Sequence, residues 1–138
     1  MITIRKQEIV KLEDILHLYQ SVGWTNYTHQ PQMLEQALSH SLVIYLALDG
    51  DAVVGLIRLV GDGFSSVFVQ DLIVLPSYQR QGIGSALMKE ALEYYKDAYQ
   101  VQLVTEETEK NVGFYRSIGF EILSTYNCIG MTWANREK

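Results

Sequence analysis

The chain is short of nearly everything that would take it outside ordinary globular chemistry. Cysteine occurs once in 138 residues, at Cys128. One thiol makes no intramolecular disulfide and no thiolate metal cluster. Its place in a C-terminal apolar run reads as a small core residue and not as an acyl-carrying nucleophile. His17, His29 and His40 lack metal-ligand spacing, so no metal is expected. No apolar run reaches the length that spans a bilayer, and residues 1–20 lack the pattern of a secretory signal. No membrane partner is expected, and a cytoplasmic location is the default. Positive charge is also scarce, with 11 Lys and Arg against 16 Asp and Glu for a net charge of −5. That balance argues against a general nucleic-acid binder and suits a cationic partner such as an amine. No Pro/Ser-rich linker, repeat or low-complexity tract interrupts the sequence, so residues 1–138 read as one domain, long enough to bury a core.

What is present is an alternation of strand and helix periods. Residues 2–5 alternate as a short strand, and Leu12, Ile15, Leu16, Tyr19 and Val22 recur at helical spacing before Gly23. Pro31 suits the first position of a second helix. Leu42–Leu48 and Ala52–Val60 flank Asp49-Gly50-Asp51, a hairpin signal, and Ser66–Leu75 is a third consecutive strand. Ile83, Leu87, Met88, Ala91, Leu92 and Tyr95 share one helical face, with Lys89, Glu90, Glu93 and Lys96 on the other. Val101–Thr105 reads as a strand and Lys110–Ile118 as a helix that Gly119 ends. Phe120–Leu123 and Tyr126–Trp133 read as two final strands. The expected class is α/β in the α+β sense, a mixed sheet with an antiparallel middle and about four flanking helices.

The chemistry centres on Gln79-Arg80-Gln81-Gly82-Ile83-Gly84, at the junction of a strand and a helix. Glycine there lets backbone approach a ligand closely. The first amides of the helix lack intrahelical partners, and the helix dipole adds positive potential. Together they form an anion cradle suited to phosphate. A dinucleotide fingerprint would need a third small residue where the chain has Leu87, and it belongs to the first unit of a parallel sheet. A nucleoside-triphosphate loop needs Gly-Lys-Ser/Thr, which is absent.

With these residues in place the chain resembles the GCN5-related N-acetyltransferase (GNAT) superfamily. That family's cofactor motif is an apolar strand residue, four residues, Gln or Arg, two residues, Gly, one residue, then Gly or Ala. Val74, Gln79, Gly82 and Gly84 fill it. Phe114-Tyr115-Arg116-Ser117-Ile118-Gly119-Phe120 is similar to the family's second, helix–turn–strand signature. The resemblance implies a sheet splayed at an acetyl-coenzyme A site, with the pyrophosphate on the amides of residues 80–85 (Arg80, Gln81, Gly82, Ile83, Gly84, Ser85) and the Arg80 side chain adding charge. It implies that the backbone of Leu72, Ile73 and Val74 pairs with the pantetheine arm, an amide near Ile73 or Val74 serving as oxyanion donor. Where Thr108 stands many relatives carry an Asn that contacts the cofactor arm. A hydroxyl is the replacement here, with Asn111 nearby.

The implied function is acetyl-coenzyme A-dependent transfer of an acetyl group to a primary amine, by direct attack in a ternary complex. An alkylammonium of pKa about 10.4 is roughly one part in 2,500 neutral at pH 7, a deficit of ~4.6 kcal/mol. A base must therefore remove a proton. Asp71, just before Leu72, is the first candidate, Glu106 and Glu107 are its rivals, and an ordered water is the family's frequent substitute. Tyr115 matches the family's general acid for the departing thiolate, a transfer uphill by roughly 2 kcal/mol. Trp24 and Tyr27, after the first helix, fall where the family builds a wall of its acceptor pocket. Alternatives are a coenzyme A-binding module without catalysis, or the same enzyme class acting on a protein N-terminus or lysine. A homodimer is compatible with the sequence.

Overall fold

The hairpin signal at Asp49-Gly50-Asp51 organises the sheet. In the computed structural model, which describes residues 1–134, it joins β2 (Val43–Asp49) to β3 (Ala52–Gly61). With β1 (Ile2–Gln7), β4 (Ser66–Val74) and β5 (Gln100–Leu103) they form a five-stranded sheet in the order β1-β2-β3-β4-β5. The first three pairings are antiparallel and β4–β5 is parallel. The mixed, mainly antiparallel sheet expected from the sequence is therefore found.

Side-chain alternation along the strands divides the helices between two faces. On one face Ile44, Leu46, Leu56 and Ile73 form a core with Ile15, Leu18 and Tyr19 of α1 (Leu12–Ser21), Tyr27 of α2 (Thr25–Thr28) and Leu34 and Leu38 of α3 (Pro31–Ser39). Each fully buried aliphatic side chain there contributes roughly 1.5–3 kcal/mol. On the other face α4 (Ile83–Tyr94) buries Ile83, Leu87, Met88 and Ala91. Gly55 permits its close approach, because a Cβ there would lie 3.2 Å from the Ala47 Cβ and 3.3 Å from Leu87.

The chain divides into two compact units, Met1–Leu103 and Val104–Lys138. In the second unit α5 (Glu109–Ile118) begins at a Thr108 cap and ends at Gly119, whose φ of +118° suits the expected terminator. Among the described residues the helices number five where about four were expected, the addition being the single turn of α2. Two expectations fail. Among the described residues Phe120–Leu123 and Tyr126–Trp133 contain no strand, and Leu123–Tyr126 form a 3-10 turn. Asn127 adopts φ +61°, a conformation Asn tolerates better than most residues, and its amide bonds back to the Ser124 carbonyl at 3.1 Å. Local turn chemistry overrides the alternation there. Cys128 is exposed and is not a core residue. Among the described residues no helix is long and apolar enough to cross a membrane.

Candidate active site

Residues 75–82 carry the chain from β4 to α4 through a short 3-10 turn at Pro76–Tyr78. Gln79 then donates its side-chain amide to the Val74 carbonyl at 3.1 Å, tying the loop to the end of the strand it leaves. Arg80 at φ +65° and Gly82 at φ +78° both lie in the left-handed region. Left-handed residues among right-handed ones curl backbone N–H groups toward one side, the concavity that receives anions. Gly82 is the N-cap of α4, and no side chain caps it. The helical ladder starts with the Ala86 N–H donating to the Gly82 carbonyl at 3.0 Å, so the amides of Ile83, Gly84 and Ser85 precede it without intrahelical acceptors. No acidic residue occupies the first turn, and the positive end of the dipole stays uncompensated. A Cβ built on Gly82 meets nothing within 4 Å. The space before these amides is open, and the exposed Gln79, Arg80 and Gln81 border it.

The sheet forks beside this loop. Pairing of β4 with β5 runs from Ser66↔Gln100 to Val69↔Leu103 and stops. From Gln70 to Val74, β4 pairs only with β3. Among the described residues no strand pairs with its other edge, where the Val74 carbonyl is taken by the Gln79 side chain and the remaining outward N–H and C=O groups can meet an extended ligand as an added strand. Ile73 points into the core at 1% exposure, while Leu72 and Val74 are half-buried on the opposite face.

Asp71 does not face open space. It is 3% exposed, and both its oxygens are occupied. Oδ2 accepts from the Tyr19 hydroxyl and from Arg58 Nε, each at 2.8 Å, and Oδ1 accepts from the Tyr27 hydroxyl at 3.0 Å. Arg58, directly across the ladder and 4% exposed, donates further to the Tyr27 hydroxyl at 3.1 Å and to Ser41 Oγ at 3.2 Å. Burial, reinforced by the Asp71 charge, pushes both phenols above their ordinary pKa, so they remain neutral donors. Burial would lower the Arg58 pKa, but the carboxylate outweighs it and the net shift is upward. Among the described residues no buried side-chain nitrogen or oxygen lacks a partner. With both oxygens buried and engaged inside the cluster, Asp71 has no free face to offer an amine, which counts against the base role read from the sequence. Tyr19 and Arg58 were missed there, although a lone Arg in apolar β3 and a lone Asp in apolar β4 were a visible signal.

Trp24 and Tyr27 pack at 6.3 Å between ring centroids. Tyr27 is buried with its hydroxyl inside the cluster, while Trp24 is half-buried beside it. The wall expected from both therefore has Trp24 as its more accessible member. In the second unit Thr108 Oγ1 accepts from the Asn111 amide at 3.1 Å, and Asn111 Nδ2 donates to the Glu106 carbonyl at 3.1 Å. The pair thus shapes the start of α5. Tyr115, half-buried on α5, packs on Phe114 and Phe120. Burial raises its pKa. Glu106 and Glu107 are exposed.

The model of the Acetyltransferase (GNAT) family matches residues 9–120. The chain belongs to that family. It is 85% identical to a GNAT-family acetyltransferase of known structure from Streptococcus pneumoniae TIGR4, with a TM-score of 0.93 over 99% of this chain and 100% of that one. It is 32% identical over 95 residues to serotonin N-acetyltransferase 2, chloroplastic, from Oryza sativa subsp. japonica, a match covering 66% of this chain. The matched region spans about half of that rice protein, 48% of its length. A PaiA N-acetyltransferase from Thermoplasma acidophilum, solved in complex with coenzyme A, shares the fold at 18% identity. Its TM-score is 0.70 over 87% of this chain and 91% of that one. The enzyme class read from the sequence, an acetyltransferase, is the class of this family.

Proposed function

We propose that the chain transfers an acetyl group from acetyl-coenzyme A to a primary amine, by direct attack within a ternary complex. The observation that carries this reading is the junction of β4 and α4, where an uncapped, uncompensated helix N-terminus adjoins an unpaired strand edge. A coenzyme A molecule combines the matching parts, a pyrophosphate and an extended amide-bearing arm. The amides of Ile83, Gly84 and Ser85, with Arg80, would hold the pyrophosphate. The edge of Leu72–Val74 would take the arm, and an amide near Ile73 or Val74 would face the carbonyl oxygen as charge develops on it. The family match, over residues 9–120, includes residues of both units.

Within the same reading Tyr115 supplies the proton for the departing thiolate. A phenol is protonated at neutral pH, and burial moves this one's pKa further up. Asp71 is committed to its cluster, so deprotonation of the ammonium falls to exposed Glu106 or Glu107, or to water. Direct transfer is favoured because among the described residues the single cysteine has no activating partner, the Cys128 thiol's hydrogen bond being to the Tyr126 carbonyl. The test is a coenzyme A-release assay across aryl amines, alkyl polyamines and peptides, with calorimetric coenzyme A binding alongside. Turnover with at least one amine class is expected. Tight binding with no turnover across the panel would leave a cofactor-binding module, and no binding would remove the reading altogether.

A further inference from the structure

Four polar side chains meet just past the point where β4 leaves β5. The last β4–β5 pair is Val69↔Leu103. Opposite Arg58 and Leu59 the β3–β4 register shifts, so Gln70 is an extra residue on β4. Such a bulge bends a strand and re-aims the side chains beyond it. Asp71 comes next and is held from three elements outside β4: Tyr19 on α1, Tyr27 on α2 and Arg58 on β3. Arg58 Nη1 extends the set to Ser41 Oγ, just beyond α3, at 3.2 Å.

Stability alone does not account for this arrangement. A buried ion pair is often no more stabilising than apolar side chains of similar volume, because desolvating both charges offsets their attraction. What a satisfied polar cluster supplies that apolar packing does not is one defined geometry. The half of β4 from Gln70 to Val74 needs such a constraint, having a neighbour on one side only. Tyr19 is 0% exposed and can touch no ligand, so its influence on a reaction must pass through the groups it positions.

We infer that the buried Arg58–Asp71–Tyr19–Tyr27 cluster is a positioning device. It fixes the forked half of β4 against the α1–α3 layer and so sets the backbone groups that this half turns to its open edge. The inference rests on the coenzyme A reading for its link to catalysis, but its structural part stands on the fork alone. Tyr27 also carries the constraint into α2, beside Trp24, so the acceptor-side aromatic and the cofactor-side strand are set as one unit.

The test is Tyr19→Phe, which deletes one hydroxyl and keeps the ring, with Tyr27→Phe as a second variant. Amide hydrogen exchange is followed by mass spectrometry, with kcat, KM and coenzyme A affinity measured well below the Tm. For Tyr19→Phe, exchange over residues 70–74 should rise about tenfold more than over β2. On the most active amine of the panel kcat should fall about tenfold or more, while coenzyme A affinity, dominated by the loop, stays within about threefold. Exchange that rises evenly across the sheet, with kcat within about twofold of wild type, would reduce the cluster to ordinary packing and overturn the inference. If the wild-type chain binds no coenzyme A, the catalytic reading fails, and the exchange pattern alone decides the positioning claim in the same two ways. If Tyr19→Phe does not fold, Tyr27→Phe and the apolar pair Arg58→Met with Asp71→Leu are judged by the same criteria. A Tm near wild type with lost kcat supports positioning, and a Tm and kcat both near wild type overturn it.

Discussion

The side-chain amide of Gln79 donates to the main-chain carbonyl of Val74 at 3.1 Å, so the glycine loop before α4 is fastened to the last residue of β4. This bond gives a physical reason for an amide at that place in the motif. A donor is needed there, which both the Gln and the Arg of the motif supply. Replacing Gln79 by Leu removes a bond worth about 0.5–1.5 kcal/mol and should weaken coenzyme A binding roughly 3- to 10-fold. Gln79→Glu should be worse, because a carboxylate cannot donate to the carbonyl and places negative charge beside the phosphates. Calorimetric titration of both variants with coenzyme A checks the order.

Gly82 and Arg80 should separate conformational strain from ligand contact. Gly82 holds φ +78° and faces open space. Gly82→Ala should cost about 1–2 kcal/mol of stability through left-handed strain, and its methyl group would also occupy the cradle. Coenzyme A affinity should therefore fall about tenfold or more. Arg80→Gly should act oppositely on stability, raising it by about 1 kcal/mol as the strain at φ +65° is relieved, while still weakening the ligand by loss of charge. Thermal melts paired with binding curves distinguish the two signs.

Much of the fold and the loop was legible in the sequence because the signals were local. The hairpin at Gly50, the amphipathic face of α4 and the terminator Gly119 each depend on neighbouring residues, and each was found in place. The cluster at Asp71 was not legible in this way. Its four members lie on four elements, and nothing in the local pattern of β4 says that Tyr19 and Tyr27 approach from the helices to close over the carboxylate. Strand alternation puts Asp71 and Leu72 on opposite faces, but it does not say what Asp71 meets. The C-terminal strands failed for a related reason. Alternating apolar residues mark a face, whereas a strand also needs a partner, and the turn at Ser124–Asn127 made a competing set of local bonds.

The Arg58–Asp71 pair should show the asymmetry of buried charges. Asp71→Leu alone strands a guanidinium that is 4% exposed and should cost about 3–5 kcal/mol. For a chain of this size that is a fall in Tm on the order of 10–20 °C. Adding Arg58→Met should recover most of it, because two apolar groups can pack where one orphaned charge cannot. Denaturant midpoints of the two single variants and the double variant complete the cycle. Additive losses would mean that the two residues do not act as a pair.

Asp62 should contribute an acid-sensitive part of the stability. Its side chain accepts from the backbone amides of Phe64, Ser65 and Ser66 at 2.7, 2.8 and 3.1 Å. The Ser65 hydroxyl and these amides hold its pKa well below the usual carboxylate range. A depressed pKa stabilises the fold above the unfolded value of about 3.9, and that contribution is lost as pH falls through the folded value. The Tm difference between wild type and Asp62→Ala should therefore be full at pH 7 and shrink below about pH 4. A difference that does not change with pH would assign the effect to the turn's shape and not to its charge.

Tyr115 should set the alkaline behaviour of turnover. Its phenol must be protonated to act as the acid, and burial moves its pKa upward from the ordinary value of 10.0. The protonated form therefore persists to higher pH than a free phenol would allow, and the midpoint of any loss of kcat from this group should lie above that of a free phenol. The rising limb, at lower pH, belongs to deprotonation of the ammonium and should be unaffected by Tyr115→Phe. That variant should lower kcat by roughly 10²- to 10⁴-fold, the ordinary worth of a positioned acid, and should leave coenzyme A affinity near wild type. It should also remove the alkaline limb. A pH–rate profile from pH 6 to 11 on the best amine of the panel, taken for both proteins, decides the matter. If Tyr115→Phe turns over like wild type with the alkaline limb intact, the proton reaches the thiolate from another donor, and Tyr115 is a packing residue held between Phe114 and Phe120.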